Sequence, residues 1–185
     1  MRVWMERTRG LLLFTLLPLA ACGDDGVTPR RTPADEVAGS YRICALEFTP
    51  SSRFLPAVDI RAKAFELEAG GVTPPRLKLD RTRAFELEFT PRGQFTDVEH
   101  RGTFGTGDAE VILTFTRPTD VAPLLLPSIL RARWNEQAKT LTSGGGLPYS
   151  VAKSDYEWML GESDPGIPSR VEGTLTARFA LGGCN

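Results

Sequence analysis

The chain has 185 residues, of which 41% are hydrophobic, 24% charged and 9% aromatic, with 22 basic against 23 acidic side chains and a single histidine. That is the composition of one folded domain, too apolar for a disordered chain and without the basic excess on which nucleic-acid binding rests.

Residues 1–21 fall into three zones: a polar start with Arg2, Arg7 and Arg9, an apolar run from Leu11 to Leu19, and Ala20-Ala21 before Cys22. This is the layout of a secretion signal. The apolar run is nine residues, or eleven with Ala20 and Ala21, against the roughly 20 that a membrane-spanning helix needs, so a permanent transmembrane anchor is not expected. Leu19-Ala20-Ala21-Cys22 resembles the lipobox of bacterial lipoproteins. The resemblance implies cleavage before Cys22, lipidation of Cys22 and residence in the bacterial cell envelope, anchored to the outer or inner membrane. The alternative is an ordinary secretion signal with an incidental cysteine.

Cleavage there leaves 164 residues with 19 basic and 22 acidic side chains, a net charge of −3, so no polyanionic partner is expected. Residues 22–36 (Gly23-Asp24-Asp25-Gly26 onward, with Pro29 and Pro33) lack apolar periodicity and read as a flexible tether with a reach of roughly 20 Å. Residues 37–185 form the domain. Two cysteines remain in it, Cys44 in the first expected strand and Cys184 next to the last residue. An even count in an oxidising compartment favours a Cys44–Cys184 disulfide, the alternative being one buried thiol and one reactive tail.

From Val37 onward the dominant period is two. Phe65-Leu67, Phe85-Leu87-Phe89, Val111-Leu113-Phe115 and Val171-Gly173-Leu175-Ala177-Phe179 each alternate with polar or small neighbours. Such alternation makes strands with one dry and one wet face. Shorter strands are expected at Tyr41 to Phe48, Arg76 to Leu79, Gly102 to Phe104, Leu130 to Trp134, Thr140 to Thr142 and Tyr156 to Leu160, giving about 8–10 in all. Turn clusters separate them, among them Asp80-Arg81-Thr82, Pro91-Arg92-Gly93, Gly105-Thr106-Gly107-Asp108 and Asn135-Glu136-Gln137, as in a meander of hairpins. Val121 to Leu130 carries Pro123 and Pro127 and reads as an apolar loop or one helical turn.

The expected fold is all-β, a single antiparallel up-and-down barrel, because closure removes sheet edges; a two-sheet sandwich gives the same alternation and stays open. Val37-Ala38-Gly39-Ser40-Tyr41, Leu77-Lys78-Leu79-Asp80, Phe85-Glu86-Leu87, Arg101-Gly102-Thr103-Phe104 and Val111-Ile112-Leu113-Thr114 resemble the pattern of bacterial lipocalin-like lipoprotein domains. Tyr41 stands where the best-known lipocalin opening has tryptophan. Over residues 37–142 the resemblance implies an opening strand with an aromatic plug, followed by an up-and-down meander.

Catalytic signatures are absent. His100 has no second histidine at ligand spacing, Gly-x-Ser-x-Gly is missing, and the glycines of Ser143-Gly144-Gly145-Gly146 lead into no phosphate-binding Lys-Ser/Thr. Glu66, Glu68, Glu86 and Glu88 alternate with apolar residues, which puts them on the wet face. The expectation is therefore a protein without catalytic residues, metal or cofactor. Phe85, Phe89, Phe104, Phe115, Trp134, Tyr156 and Trp158 are the inward candidates, and they either fill the barrel or line a site for a small apolar or lipid-like ligand. The second reading is an assembly lipoprotein that docks on an envelope protein through exposed loops such as Leu124-Leu125-Leu126.

Overall fold

A computed structural model of the chain describes residues 32–65, 74–94, 96–117, 126–143 and 147–184. Among them are ten strands and three short helices, in the order α1 (Ala34–Val37), β1 (Gly39–Pro50), β2 (Val58–Asp59), α2 (Ile60–Ala64), β3 (Arg76–Leu79), β4 (Ala84–Phe89), β5 (Val98–Thr106), β6 (Glu110–Phe115), β7 (Ile129–Asn135), β8 (Thr140–Thr142), β9 (Leu147–Ala152), α3 (Lys153–Leu160) and β10 (Arg170–Leu181).

Strands β1, β3, β4, β5, β6, β7, β8 and β10 each pair antiparallel with the next, and β10 returns to β1 with Tyr41 opposite Leu181 and Pro50 opposite Gly173. Eight strands therefore close a barrel, and the sandwich alternative falls. β1 and β10, at 12 residues each, outrun their neighbours. Towards one end they are flanked by β3 and β8, towards the other by β2 and β9.

The period-two pattern explains which face is buried. β4 alternates half-buried and buried from Ala84 to Phe89, β7 exposed and buried from Ile129 to Asn135, and β10 keeps Val171, Gly173, Leu175, Ala177 and Phe179 inside. Two inward glycines serve a steric need. A Cβ on Gly102 would run into the Thr114 carbonyl and the Phe85 ring, and one on Gly173 into the Thr49 carbonyl and the Phe48 ring. In both cases an aromatic ring covers the space left over the neighbouring strand, a recurrent way of pinning register.

The seam between β1 and β10 contains a bulge: the register shifts between Ile43 and Ala45, leaving Cys44 as the extra residue. The shift keeps Tyr41, Ile43, Leu46 and Phe48 all buried although their spacing is broken. Beyond β10, Gly182 adopts a φ of 84° open to glycine, and the tail brings Cys184 to Cys44 in a disulfide with a Cα separation of 5.3 Å. The pairing alternative of the sequence is thereby settled, and the bridge spans 140 residues.

Several elements depart from the sequence expectation. Tyr156 to Leu160 is part of helix α3, not a strand, and Phe65 makes one isolated bridge to Pro91 after helix α2. Residues 118–125 and 144–146, which include the first half of the apolar loop and the glycine run, lie outside the described residues, as do Glu66, Leu67 and Glu68. Residues 32–36, expected at the end of the tether, are docked on the barrel: Thr32 donates its N–H to Gly107 O at 3.1 Å and accepts from Ala109 N at 3.3 Å through its hydroxyl.

Candidate functional site

The two ends of the barrel are built from different parts. At the hairpin end, β3–β4, β5–β6 and β7–β8 are joined by turns of three or four residues, each with a non-glycine residue at positive φ before the second strand: Arg83 (70°), Ala109 (54°) and Lys139 (50°). Side chains lock two of the turns. Asp80 Oδ1 accepts from Thr82 Oγ1 and from Ala84 N, and Asn135 Oδ1 accepts from Ala138 N. Below them Tyr41, the expected plug, is fully buried, donates its hydroxyl to Val37 O at 2.6 Å and meets Trp134 edge-on at 6.1 Å. Burial pushes the Tyr41 phenol far above its ordinary range.

Among the described residues, the helix end is covered by α2 and α3. Asp59 caps α2 by accepting from Ala62 N, and Ile60 and Ala64, four residues apart, turn the same face inward. Helix α3 ends at Gly161 (φ 81°), and Tyr156 and Met159, three apart, are its buried residues. Tyr156 donates its hydroxyl to Pro56 O at 2.6 Å, and Arg92 Nη1 donates to Ala62 O at 2.9 Å. Beneath the helices is an aromatic layer: Phe48 meets Tyr149 and Tyr156 edge-on at 6.4 and 6.0 Å, and Phe65 meets Phe89 at 4.9 Å.

His100 belongs to this end. It stands opposite Leu87, a buried inward residue, and its ring lies parallel on Phe89 with centroids 5.9 Å apart. Partial burial lowers its pKa below the ordinary imidazole value. It shares a shallow depression with Glu99, Arg101, Thr116 and Arg117. Among the described residues no three of His, Cys, Asp and Glu come together as a metal site.

Between the ends the barrel is filled. Ile43, Leu77, Leu87, Leu113, Leu130, Leu175 and Ala177 are at most 1% exposed, a value that leaves no water-sized space beside them. The seven inward candidates divide accordingly. Phe85 and Phe115 pack together edge-on at 4.9 Å, Phe104 and Trp134 lie towards the hairpin end, and Phe89 and Tyr156 lie under or within the helical cap. Trp158 is 43% exposed. As a strand, Tyr156 and Trp158 would share a face; in a helix at 100° per residue they point to opposite sides, and Met159 takes the inward place. Phe48, Tyr149 and Phe65, which the sequence reading did not single out, complete the aromatic layer.

On the outer wall Glu86 and Glu88 are where alternation put them. Glu86 pairs with Lys78 at 3.7 Å and Arg101 at 3.3 Å, and Glu88 with Arg76 at 3.9 Å. The leucine run is not an exposed triplet: Leu126 is buried at 1% exposure, while Leu124 and Leu125 lie outside the described residues. Among the described residues, the large apolar side chains exposed at the helix end are instead Phe54 (82%), Ile129 (53%) and Trp158 (43%). No family model, no curated protein and no solved structure matches the chain.

Proposed function

We propose that the protein is a lipid-anchored lipoprotein of the bacterial cell envelope whose lipocalin-like barrel binds a small apolar or lipid-like ligand at the helix end, without catalysis. The observation that carries the reading is the construction of that end. Among the described residues two helices cover an aromatic layer of Phe48, Phe65, Phe89 and Tyr149, and neither belongs to the ladder that closes the barrel, so this cover can shift without breaking it. Phe48, Phe65, Phe89 and Tyr156 are themselves at most 1% exposed, like the middle of the barrel, so on this reading the ligand enters between the cap and this layer only as the cap moves. On this reading the tether leaves from the hairpin end, where Thr32 is fixed, and the helix end faces away from the membrane that holds Cys22.

Native mass spectrometry of the mature protein, released from detergent, tests the ligand. Retained mass of a few hundred daltons that is lost on denaturation supports it. A Trp134→Phe variant adds an optical test, since it leaves Trp158 as the tryptophan of the mature chain. Its emission should shift on titration with a fatty acid as the cap moves. No retained mass and a constant emission would sink the carrier reading. The lipid anchor is tested separately: Cys22→Ser should release the protein from membranes into the soluble periplasmic fraction.

The exposure of Phe54, Ile129 and Trp158 at one end favours a second reading, docking on an envelope protein. Phe54→Asp should then abolish co-purification of that partner and leave the melting temperature unchanged.

A further inference from the structure

Among the described residues, the outer wall sets like charges directly opposite one another in three registers: the acidic pairs Glu88–Glu99 and Glu47–Asp59, and one basic pair. In the β1–β3 register Arg42 stands directly opposite Arg76, and Ser40 opposite Lys78. Directly opposed side chains of an antiparallel pair have Cβ atoms about 4.5–5.5 Å apart, and like charges there repel. One strand further the usual arrangement holds, with Arg76 opposite Glu88 and Lys78 opposite Glu86. Those two carboxylates are already engaged, with Arg76 at 3.9 Å and with Lys78 at 3.7 Å. On its other side Arg42 faces Ala180. Among the described residues its guanidinium has no ion-pair partner. Arg42 and Arg76 line a depression of about 230 Å³ with Ser40, Pro74 and Gly182, next to the Cys44–Cys184 bridge.

We propose that this depression is a binding site for a phosphate group. Two guanidinium forks held side by side by strand register offer planar, bidentate donors from two directions. The Ser40 hydroxyl adds a donor on the same face. Two forks suit a tetrahedral group with oxygens on several sides better than a flat carboxylate, which one fork satisfies. A bound anion also relieves the Arg42–Arg76 repulsion, so the unliganded arrangement is the less stable one. The group arrives either as free phosphate or as the phosphodiester of an anionic phospholipid headgroup, and both present anionic phosphoryl oxygens to the two forks.

Titration of the full mature protein in a neutral detergent with sodium phosphate, with dihexanoylphosphatidylglycerol and with dihexanoylphosphatidylcholine tests the site and separates the sources. Saturable binding of phosphate assigns it to the free ion; saturation by the phosphatidylglycerol alone assigns it to a headgroup. In either case Arg42→Gln or Arg76→Gln should weaken binding about tenfold. Arg131→Gln should leave it unchanged, because Arg131 lies on β7 and does not line the depression. Both glutamine variants are at exposed positions, and a melting temperature at or above that of the parent without anion certifies their fold. If neither anion saturates, or if the Arg42 and Arg76 variants bind as tightly as the parent, there is no such site.

Discussion

At the hairpin end, most of the closure is local in sequence, with three short turns, side-chain caps from Asp80 and Asn135 and the Tyr41–Val37 bond, to which Thr32 adds a clasp on Ala109 across 77 residues. At the helix end, closure is assembled from afar. Tyr156 reaches Pro56 across 100 residues, and Arg92 reaches Ala62 across 30. The first kind of closure comes with the ladder; the second can come apart while the ladder stands. The proposed function requires this contrast to be one of stability as well, with a rigid base and a cover that opens more easily.

The largest test of that contrast is the seam that both ends share. Replacing Cys44 and Cys184 together by serine opens a loop of 140 residues and should lower unfolding stability by up to about 5 kcal/mol, as read by urea denaturation without reductant. A loss under about 1 kcal/mol would mean that the long β1–β10 ladder alone fixes the closed state. The cover is tested next. Met159 is fully buried on α3, and Met159→Ala should cost about 2–4 kcal/mol by the cavity it leaves. Amide exchange should then quicken in α2, α3 and β9 and stay slow in the hairpins from β3 to β8. Uniform quickening would make the two ends one cooperative unit and remove the basis for a movable cover.

The contrast also decides what could be read in the chain beforehand. Alternation of the Phe85-Leu87-Phe89 kind survives in the hairpin half because each strand meets its neighbour within a few residues, so a local pattern carries the pairing. β3 and β8 have the expected limits, and Tyr41 is the buried plug. At the helix end the same reading fails. Tyr156, Trp158 and Leu160 alternate as a strand would, while the helix signals (Asp155 in the first turn, buried positions at 156 and 159, Gly161 after the last turn) compete over the same residues and win through packing on Phe48. α2 was obscured in the same way by the alternation of Phe65 and Leu67, though Asp59 three residues before Ala62 is a capping signal. His100 could not be placed at all without register: only its partner Leu87 shows that it faces inward.

A smaller effect separates the ends by backbone chemistry. The hairpin end holds Arg83, Ala109 and Lys139 at positive φ, where an L side chain is strained, whereas Gly93 and Gly161 occupy such positions at the helix end. Ala109→Gly should therefore raise stability by about 0.5–1 kcal/mol, the relief of strain exceeding the added freedom of the unfolded chain. Gly161→Ala should lower it by about 1 kcal/mol. Opposite signs in thermal melts of the two variants would confirm that each end solves its turns differently; equal signs would contradict it.

The smallest effect is the dependence on pH, and it reports on the helix end alone. His100 is the single histidine of the chain, and its pKa in the folded protein is lowered by burial from an ordinary value of 6.5. Below pH 6.5 the unfolded chain takes up a proton that the folded chain resists, so stability is complete above that pH and falls as the solution is acidified towards the folded pKa. One proton limits the slope to about 1.4 kcal/mol per pH unit. The carboxylates with lowered values, Asp80 held by Thr82, Glu99 by Arg101 and Glu157 by Ser163, titrate in more acidic solution and leave the window between neutrality and about pH 5 to the imidazole. His100→Phe keeps a ring against Phe89 and cannot be charged, so its melting temperature should be flat across that window while the parent's declines. Because the charged imidazole would sit on the Phe89 ring at the edge of the cap, amide exchange in the parent at pH 5 should quicken near Phe89 and Phe65 and not around Tyr41. A slope that persists in His100→Phe would place the titrating group elsewhere and leave the cover insensitive to acid.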